Sequence, residues 1–319
     1  MTVTREQRLE QALFRGSGLT LENPDYLQAV RTFTEALLQV DLTPRDLTVE
    51  ALGIQDEPAS AIIVAREDGV AAGLDELAFL LRGFGVEVTL EIKDGDLFRH
   101  GDTVLRAEGE RMKLLSLERV GLNLLQRMSG IATATRCLQG RARNRSTSTR
   151  IVATRKTPWG LLDKRAVHLG RGGTHRLGLG DAILIKNNHL ARIASREDQA
   201  ARLAIARAWN FRRHAAFIEV EVRSELAALA SAKTFRRLQD DASEQYPCLV
   251  MLDNMTTEEI GPILDALRRE NLWDDTLIEV SGGISETNVE AYADCGVDAI
   301  SIGALTHSPR ALDMSERIS

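Results

Sequence analysis

Short apolar runs recur between residues 151 and 302, separated by helical stretches, and each run stops abruptly in polar or glycine residues. They are IVAT at 151–154, AILI at 182–185, FIEVEV at 217–222, LVML at 249–252, LIEV at 277–280 and AISI at 299–302, with a briefer THRLGL at 174–179. Unbroken rather than alternating hydrophobicity suits strands buried on both faces, and so a parallel sheet. Strand and helix alternate over roughly 170 residues, which favours an α/β barrel or a doubly wound sheet. The residues just past the runs favour the barrel: Arg155-Lys156-Thr157, Lys186-Asn187-Asn188-His189, Asp253-Asn254, Ser281-Gly282-Gly283 and Gly303. Carboxyl ends of barrel strands build active sites, and the last two commonly cradle a phosphate. An open sheet, which also binds ligands at carboxyl ends, stays the alternative. About seven runs, one short of the usual eight, imply an incomplete barrel.

Ahead of these runs, residues 1–115 read as a separate mixed α/β domain. A helix is expected over Tyr26–Gln39, entered through Asn23-Pro24. ASAIIVA at 59–65 and VEVTLEI at 86–92 read as strands, with a helix near Leu74–Phe84 between them. From residue 116 a long helix carries Leu117, Val120, Leu124, Met128 and Ile131 as one apolar stripe. It opens a barrel domain expected over 116–306, and the tail 307–319 is expected to pack on the first domain.

Composition excludes several functions. A net charge of −6 and 4% aromatic residues argue against nucleic-acid binding, which needs basic surface and stacking platforms. Cys137, Cys248 and Cys295 have no ligand spacing and read as reduced thiols. The charged opening MTVTREQRLEQALFRG lacks an apolar signal core, and no apolar run reaches the roughly 18 residues of a membrane span. A cytoplasmic protein without membrane partners is expected.

Against that acidic average, Arg155, Lys156, His175, Arg176 and Lys186 all fall at or just past strand ends. Five cations on one rim repel one another unless an anion neutralises them. Arginine forks suit flat carboxylates, and lysine serves as a point charge for phosphate or carboxylate. Glu221 and Asp253 close two of the runs. Such acids can hold Mg²⁺ or stabilise positive charge developing on a sugar. Glu219 shares a face with Glu221 by strand period and reads as the more structural of the two. Ser281, Gly282, Gly283 and Gly303 would supply a phosphate pocket through exposed backbone N–H groups.

With these motifs in order, the chain resembles the quinolinate phosphoribosyltransferase family. The likeness runs through VAREDGVAAGL at 64–74, KDGD at 93–96, LERVGLNLLQRMSGIAT at 117–133, TRKT at 154–157, GGTHRLGLGDAILIKNNH at 172–189, IEVEV at 218–222, LDN at 252–254 and SGGI at 281–284. The resemblance implies an N-terminal α/β sandwich and an incomplete, seven-stranded TIM-like barrel. It implies phosphoribosyl transfer from phosphoribosyl pyrophosphate to quinolinate with decarboxylation, assisted by Mg²⁺. Arg155, His175, Arg176 and Lys186 then hold the dicarboxylate, and Lys156, Glu221 and Asp253 act at the reacting sugar, the two acids near Mg²⁺. Arg119 matches an arginine that crosses to a neighbouring subunit, which implies a homodimer with shared sites. Three departures stand out: Arg171 interrupts a run of glycines, Asn187 replaces an acid, and Pro158-Trp159-Gly160 replaces the commoner Thr-Pro-Gly order.

Overall fold

The computed structural model describes residues 3–41, 46–243 and 245–319. Two compact units share the chain. One gathers the residues through Arg15 with Cys137–Lys156 and Gly172–Ala304; the other gathers Gly16–Arg136, Thr157–Arg171 and Leu305–Ser319. The boundary expected at 115/116 lies in the first turns of one continuous helix, Arg111–Arg145, and the chain changes units near Arg136 instead. An apolar stripe shows that a helix is amphipathic, but not where along it the partner changes.

The first unit is the barrel. Its strands are β1 (Arg150–Val152), β2 (Ile183–Ile185), β3 (Ile218–Val222), β4 (Cys248–Asp253), β5 (Leu277–Ser281) and β6 (Ala299–Ser301). All pair in parallel, in the order β1-β6-β5-β4-β3-β2. On the other side of β1, a single parallel bridge between Val152 and Gly173 stands where a seventh strand would run. THRLGL forms no strand of its own. His175 has φ 52, in the left-handed region, which ends any extended run there.

The opening helix, Arg5–Leu13, belongs to this unit as well. Thr4 and Gln7 form a capping box at its start. Leu9, Ala12 and Leu13 fall at the spacing of one helical face. They pack on Ala182, Phe217, Leu249, Leu277 and Ala299, an apolar layer at the amino-terminal end of their strands, and on Val152 of β1. The helix therefore stoppers the barrel floor, and Arg5–Asp298 and Arg150–Glu6 ion pairs hold its first turn. Its last carbonyl, Leu13 O, accepts the His175 N–H at 3.0 Å, which ties the stopper to the backbone of a candidate site residue. Leu13→Ala should cost about 2–5 kcal/mol, the range for emptying a closed apolar site. Chemical denaturation of the variant measures it.

In the second unit an antiparallel sheet runs Met314–Ile318, Pro58–Ala65, Thr103–Glu110, Glu87–Leu90. The chain's tail is thus an edge strand, with Ala61 opposite Ile318 and Ala65 opposite Met314. On its way there it crosses helix Arg111–Arg145 at Gly130. A Cβ at Gly130 would stand 2.0 Å from the Arg310 carbonyl oxygen, so only glycine fits the crossing. Among the described residues no helix is long and apolar enough to cross a membrane.

Candidate active site

Strand register in the barrel sets which side chains share a level. Glu221 is level with Met251, Met251 with Glu279, and Asp253 with Ser281. Because alternate residues face inward, Glu219 and Glu221 both enter the interior, as do Met251 with Asp253 and Glu279 with Ser281. These layers rise from the apolar floor to a cavity of about 330 Å³. Arg155, Lys156, His175, Arg176, Lys186, Glu221, Asp253 and Ser281 all line it. The cations scattered along the sequence are gathered at one mouth.

Arg176 is the most telling of them. It is 7% exposed, and its Nη1 donates to the Ala182 carbonyl at 3.3 Å. Its buried Nε–H has no acceptor. Burial and the neighbouring charge of Arg155 both weaken its hold on its proton. A guanidinium kept in such a place is stabilised by an incoming anion, and its free edge suits a carboxylate. Arg155 and Lys156 are exposed in the segment that follows β1, and Lys186 Nζ lies 3.9 Å from Glu221 Oε2.

His175 is placed differently from a rim donor. It is 5% exposed and turned into the barrel, with Nε2 at 2.9 Å from Glu219 and 3.3 Å from Glu279. In the neutral ring the Arg176 N–H donates to Nδ1 at 2.7 Å, which puts the ring proton on Nε2 facing the acids; in the charged ring both nitrogens carry one. Burial opposes a charged ring, but the carboxylates of Glu279 and Glu219 outweigh it and push the imidazole up to about 9. Burial and the nearby Glu279 push the Glu219 carboxyl up to about 7. His175 and Glu219 titrate together rather than independently. The ligand atoms of His175, Glu219 and Glu279 lie within 4.8 Å of one another, close enough for a metal ion. Using the Nδ1 lone pair for the Arg176 contact leaves Nε2 protonated, however, with no lone pair to give.

The two acids at the mouth are tightly engaged. Glu221 Oε1 accepts from Asn187 Nδ2 at 2.8 Å. Asp253 Oδ2 accepts from Arg223 Nε at 3.0 Å and Nη2 at 2.8 Å, while Oδ1 accepts from Asn254 Nδ2 at 2.8 Å. A directly held Mg²⁺ needs open carboxylate oxygens. Three of the four oxygens are taken by hydrogen bonds, and the Lys186 ammonium stands 3.9 Å from the fourth, so the pair as it stands does not fit a directly ligated ion.

The expected phosphate residues divide. Ser281 lines the cavity, whereas Gly282, Gly283 and Gly303 do not. Gly282 has φ 102, and a Cβ there would stand 2.3 Å from the Asn254 side chain, so this turn interlocks with the one after β4. Arg119 lies in the second unit, exposed, 3.5 Å from Glu118. Sequence reasoning passes over Glu279 and Arg223. Glu279 does leave a signal: a carboxylate in the middle of LIEV, a run otherwise fit for burial on both faces. Arg223 leaves none, because its partner is 30 residues away.

Comparison with known proteins bears on the family and the fold. Residues 131–317 match the family model "Quinolinate phosphoribosyl transferase, C-terminal domain", and residues 46–129 match the corresponding N-terminal domain. A probable nicotinate-nucleotide pyrophosphorylase [carboxylating] of Methanothermobacter thermautotrophicus is 39% identical over 287 residues, 88% of this chain and 96% of the relative. The nicotinate-nucleotide pyrophosphorylase [carboxylating] of Mycobacterium leprae is 36% identical over 84% of this chain and 89% of its own length. Among solved structures, NadC from Streptococcus pyogenes superposes with a TM-score of 0.77 at 32% identity, covering 91% of this chain and 96% of that one. The nicotinate-nucleotide pyrophosphorylase from Francisella tularensis gives 0.78 at 28% identity, covering 92% and 96%.

Proposed function

The chain belongs to the quinolinate phosphoribosyltransferase family, and from that premise we propose that it joins the ring nitrogen of quinolinate to the anomeric carbon of phosphoribosyl pyrophosphate. Pyrophosphate and carbon dioxide leave, and nicotinate mononucleotide remains, a step in NAD biosynthesis. The observation that carries this reading is Arg176, buried beside Arg155 at the cavity with an unsatisfied N–H.

The residues divide the work by charge. Arg155, Arg176 and Lys186 hold the two carboxylates so that the ring nitrogen faces the sugar. Such positioning supplies about 7–11 kcal/mol to a bimolecular step. Lys156 faces the departing pyrophosphate as a fixed positive charge. Glu221 and Asp253 favour the positive charge that develops on the ribose as the C–O bond to pyrophosphate breaks. Ser281 and the turn behind it receive the 5′-phosphate. His175, locked between Glu219 and Glu279, sets the backbone that presents Arg176. Once the nitrogen is quaternary, its positive charge stabilises the electron pair that stays on ring carbon 2 as carbon dioxide leaves, and a proton then takes the carboxylate's place on that carbon.

Two measurements test the reading. With phosphoribosyl pyrophosphate, purified protein should release pyrophosphate with quinolinate and far less with nicotinate; the reverse order would overturn the acceptor assignment. The protein is also expected to work as a homodimer in the cytoplasm, with Arg119 reaching the partner's cavity. Mixing Arg119→Ala and Lys156→Ala chains should then restore activity above either variant alone, because one of the two cavities in the mixed dimer is intact. A heterodimer as inactive as its parents would remove Arg119 from the shared site.

A further inference from the structure

Arg223 follows β3 directly; its backbone is anchored, and its side chain, 59% exposed, reaches across to Asp253. Its backbone N–H donates to Glu197 Oε1 at 2.8 Å, and Glu197 Oε2 accepts from Ser224 Oγ at 2.5 Å. From that anchored position both Nε and Nη2 converge on a single oxygen, Asp253 Oδ2. The other Asp253 oxygen is taken by Asn254, and Glu221 is held by Asn187 with Lys186 near its second oxygen. A carboxylate can only accept, so the amides of Asn187 and Asn254 must present their NH₂ groups here. Both mouth acids are thus countered from within the chain.

We propose that Arg223 stands in a divalent cation's place at Asp253, so that the free protein holds no metal ion at its acid pair and a divalent ion enters the mouth only on the phosphates of the sugar substrate. The argument is electrostatic. A dication approaching Asp253 meets a guanidinium already on the oxygen it needs, and repulsion at such a distance is strong even in a wet cleft. Asn187 reinforces this. As an amide it removes the negative charge an aspartate would place beside Glu221, so the pair cannot become a three-carboxylate cage. A metal arriving on a polyphosphate brings its own charge balance and needs only water-mediated contact with the acids. The inference rests on the phosphoribosyl-transfer reading for the identity of that substrate.

Mn²⁺ titration followed by electron paramagnetic resonance tests it on the whole protein, without any turnover. The unsubstituted protein alone should show no stoichiometric Mn²⁺ site. Arg223→Gln should gain one site per chain, tighter by about tenfold or more, as expected when a charge leaves the contact. Adding Asp253→Asn to it should abolish the gain. Arg223→Lys, which keeps the charge, should stay closed, and it serves as the test if the glutamine variant does not fold. Phosphoribosyl pyrophosphate should confer Mn²⁺ uptake on the unsubstituted protein. One tight site in the unsubstituted protein alone, no gain in Arg223→Gln, or an open site in Arg223→Lys would each overturn the proposal. Because these readouts need no acceptor, they stand apart from a failure of the acceptor assignment.

Discussion

Replacing His175 with alanine should destabilise the protein by about 3–5 kcal/mol, the cost of removing one partner from a buried charged network. Glu219 and Glu279 are both fully buried, and their oxygens have no other hydrogen-bond partners. Without the imidazole they face each other with no counter-charge. The direction with pH follows from the raised values. Glu219, near 4.5 when unfolded and about 7 when folded, favours the fold most below 4.5 and loses that contribution as pH rises through 7. His175, near 6.5 unfolded and about 9 folded, contributes fully below 6.5 and loses its contribution as pH rises through 9. Stability should therefore fall from neutral to alkaline pH. The deficit of His175→Ala should be larger at pH 5, where the contribution of His175 is full, than at pH 8, where part of it is already lost. Glu219→Gln should recover part of it. Denaturant melts at the two pH values measure all three effects, and an equal deficit at both would remove charge from the explanation.

Arg176→Ala should act in the opposite way, sparing the fold and emptying the site. Its structural contact is one hydrogen bond to the Ala182 carbonyl, and its neighbour Arg155 repels it. Stability should change by no more than about 1 kcal/mol, since relief of that repulsion offsets the lost contact. Binding is another matter. A charge-assisted hydrogen bond contributes about 1.5–3 kcal/mol, and a two-pronged arginine–carboxylate contact reaches the top of that range. The KM for quinolinate should rise about a hundredfold, with the KM for phosphoribosyl pyrophosphate nearly unchanged. Steady-state kinetics with each substrate varied in turn separate the two. An equal rise in both would mean that Arg176 supports the cavity as a whole.

Adjacent residues 175 and 176 thus carry contrasting roles, and the sequence could not separate them. Both lie in the brief element THRLGL, and both are cations. What divides them is the left-handed turn at His175, which sends one side chain down into the barrel and leaves the next beside the cavity. Periodicity reports which residues share a face, but it is blind to a single residue that reverses the backbone. The strand runs were far more legible, because burial on both faces leaves an unbroken apolar stretch that few other structures produce. The same logic located the carboxyl ends, where Lys186, Glu221, Asp253 and Ser281 meet at the cavity. Two features escaped. The opening helix has an ordinary amphipathic pattern, and nothing local tells Leu9 and Leu13 that their partner is the floor of a barrel formed more than a hundred residues later. Arg223 reads as a surface charge after a strand until the loop bearing Asp253 is brought alongside.

The central claim is that cations gathered over one cavity orient a dicarboxylate for transfer and decarboxylation. Quinolinate labelled at the 2-carboxylate, incubated with phosphoribosyl pyrophosphate, tests it by counting label lost against pyrophosphate formed. One labelled carbon dioxide for each pyrophosphate is the expected result. Pyrophosphate without labelled carbon dioxide, or label released without the sugar substrate, would contradict it.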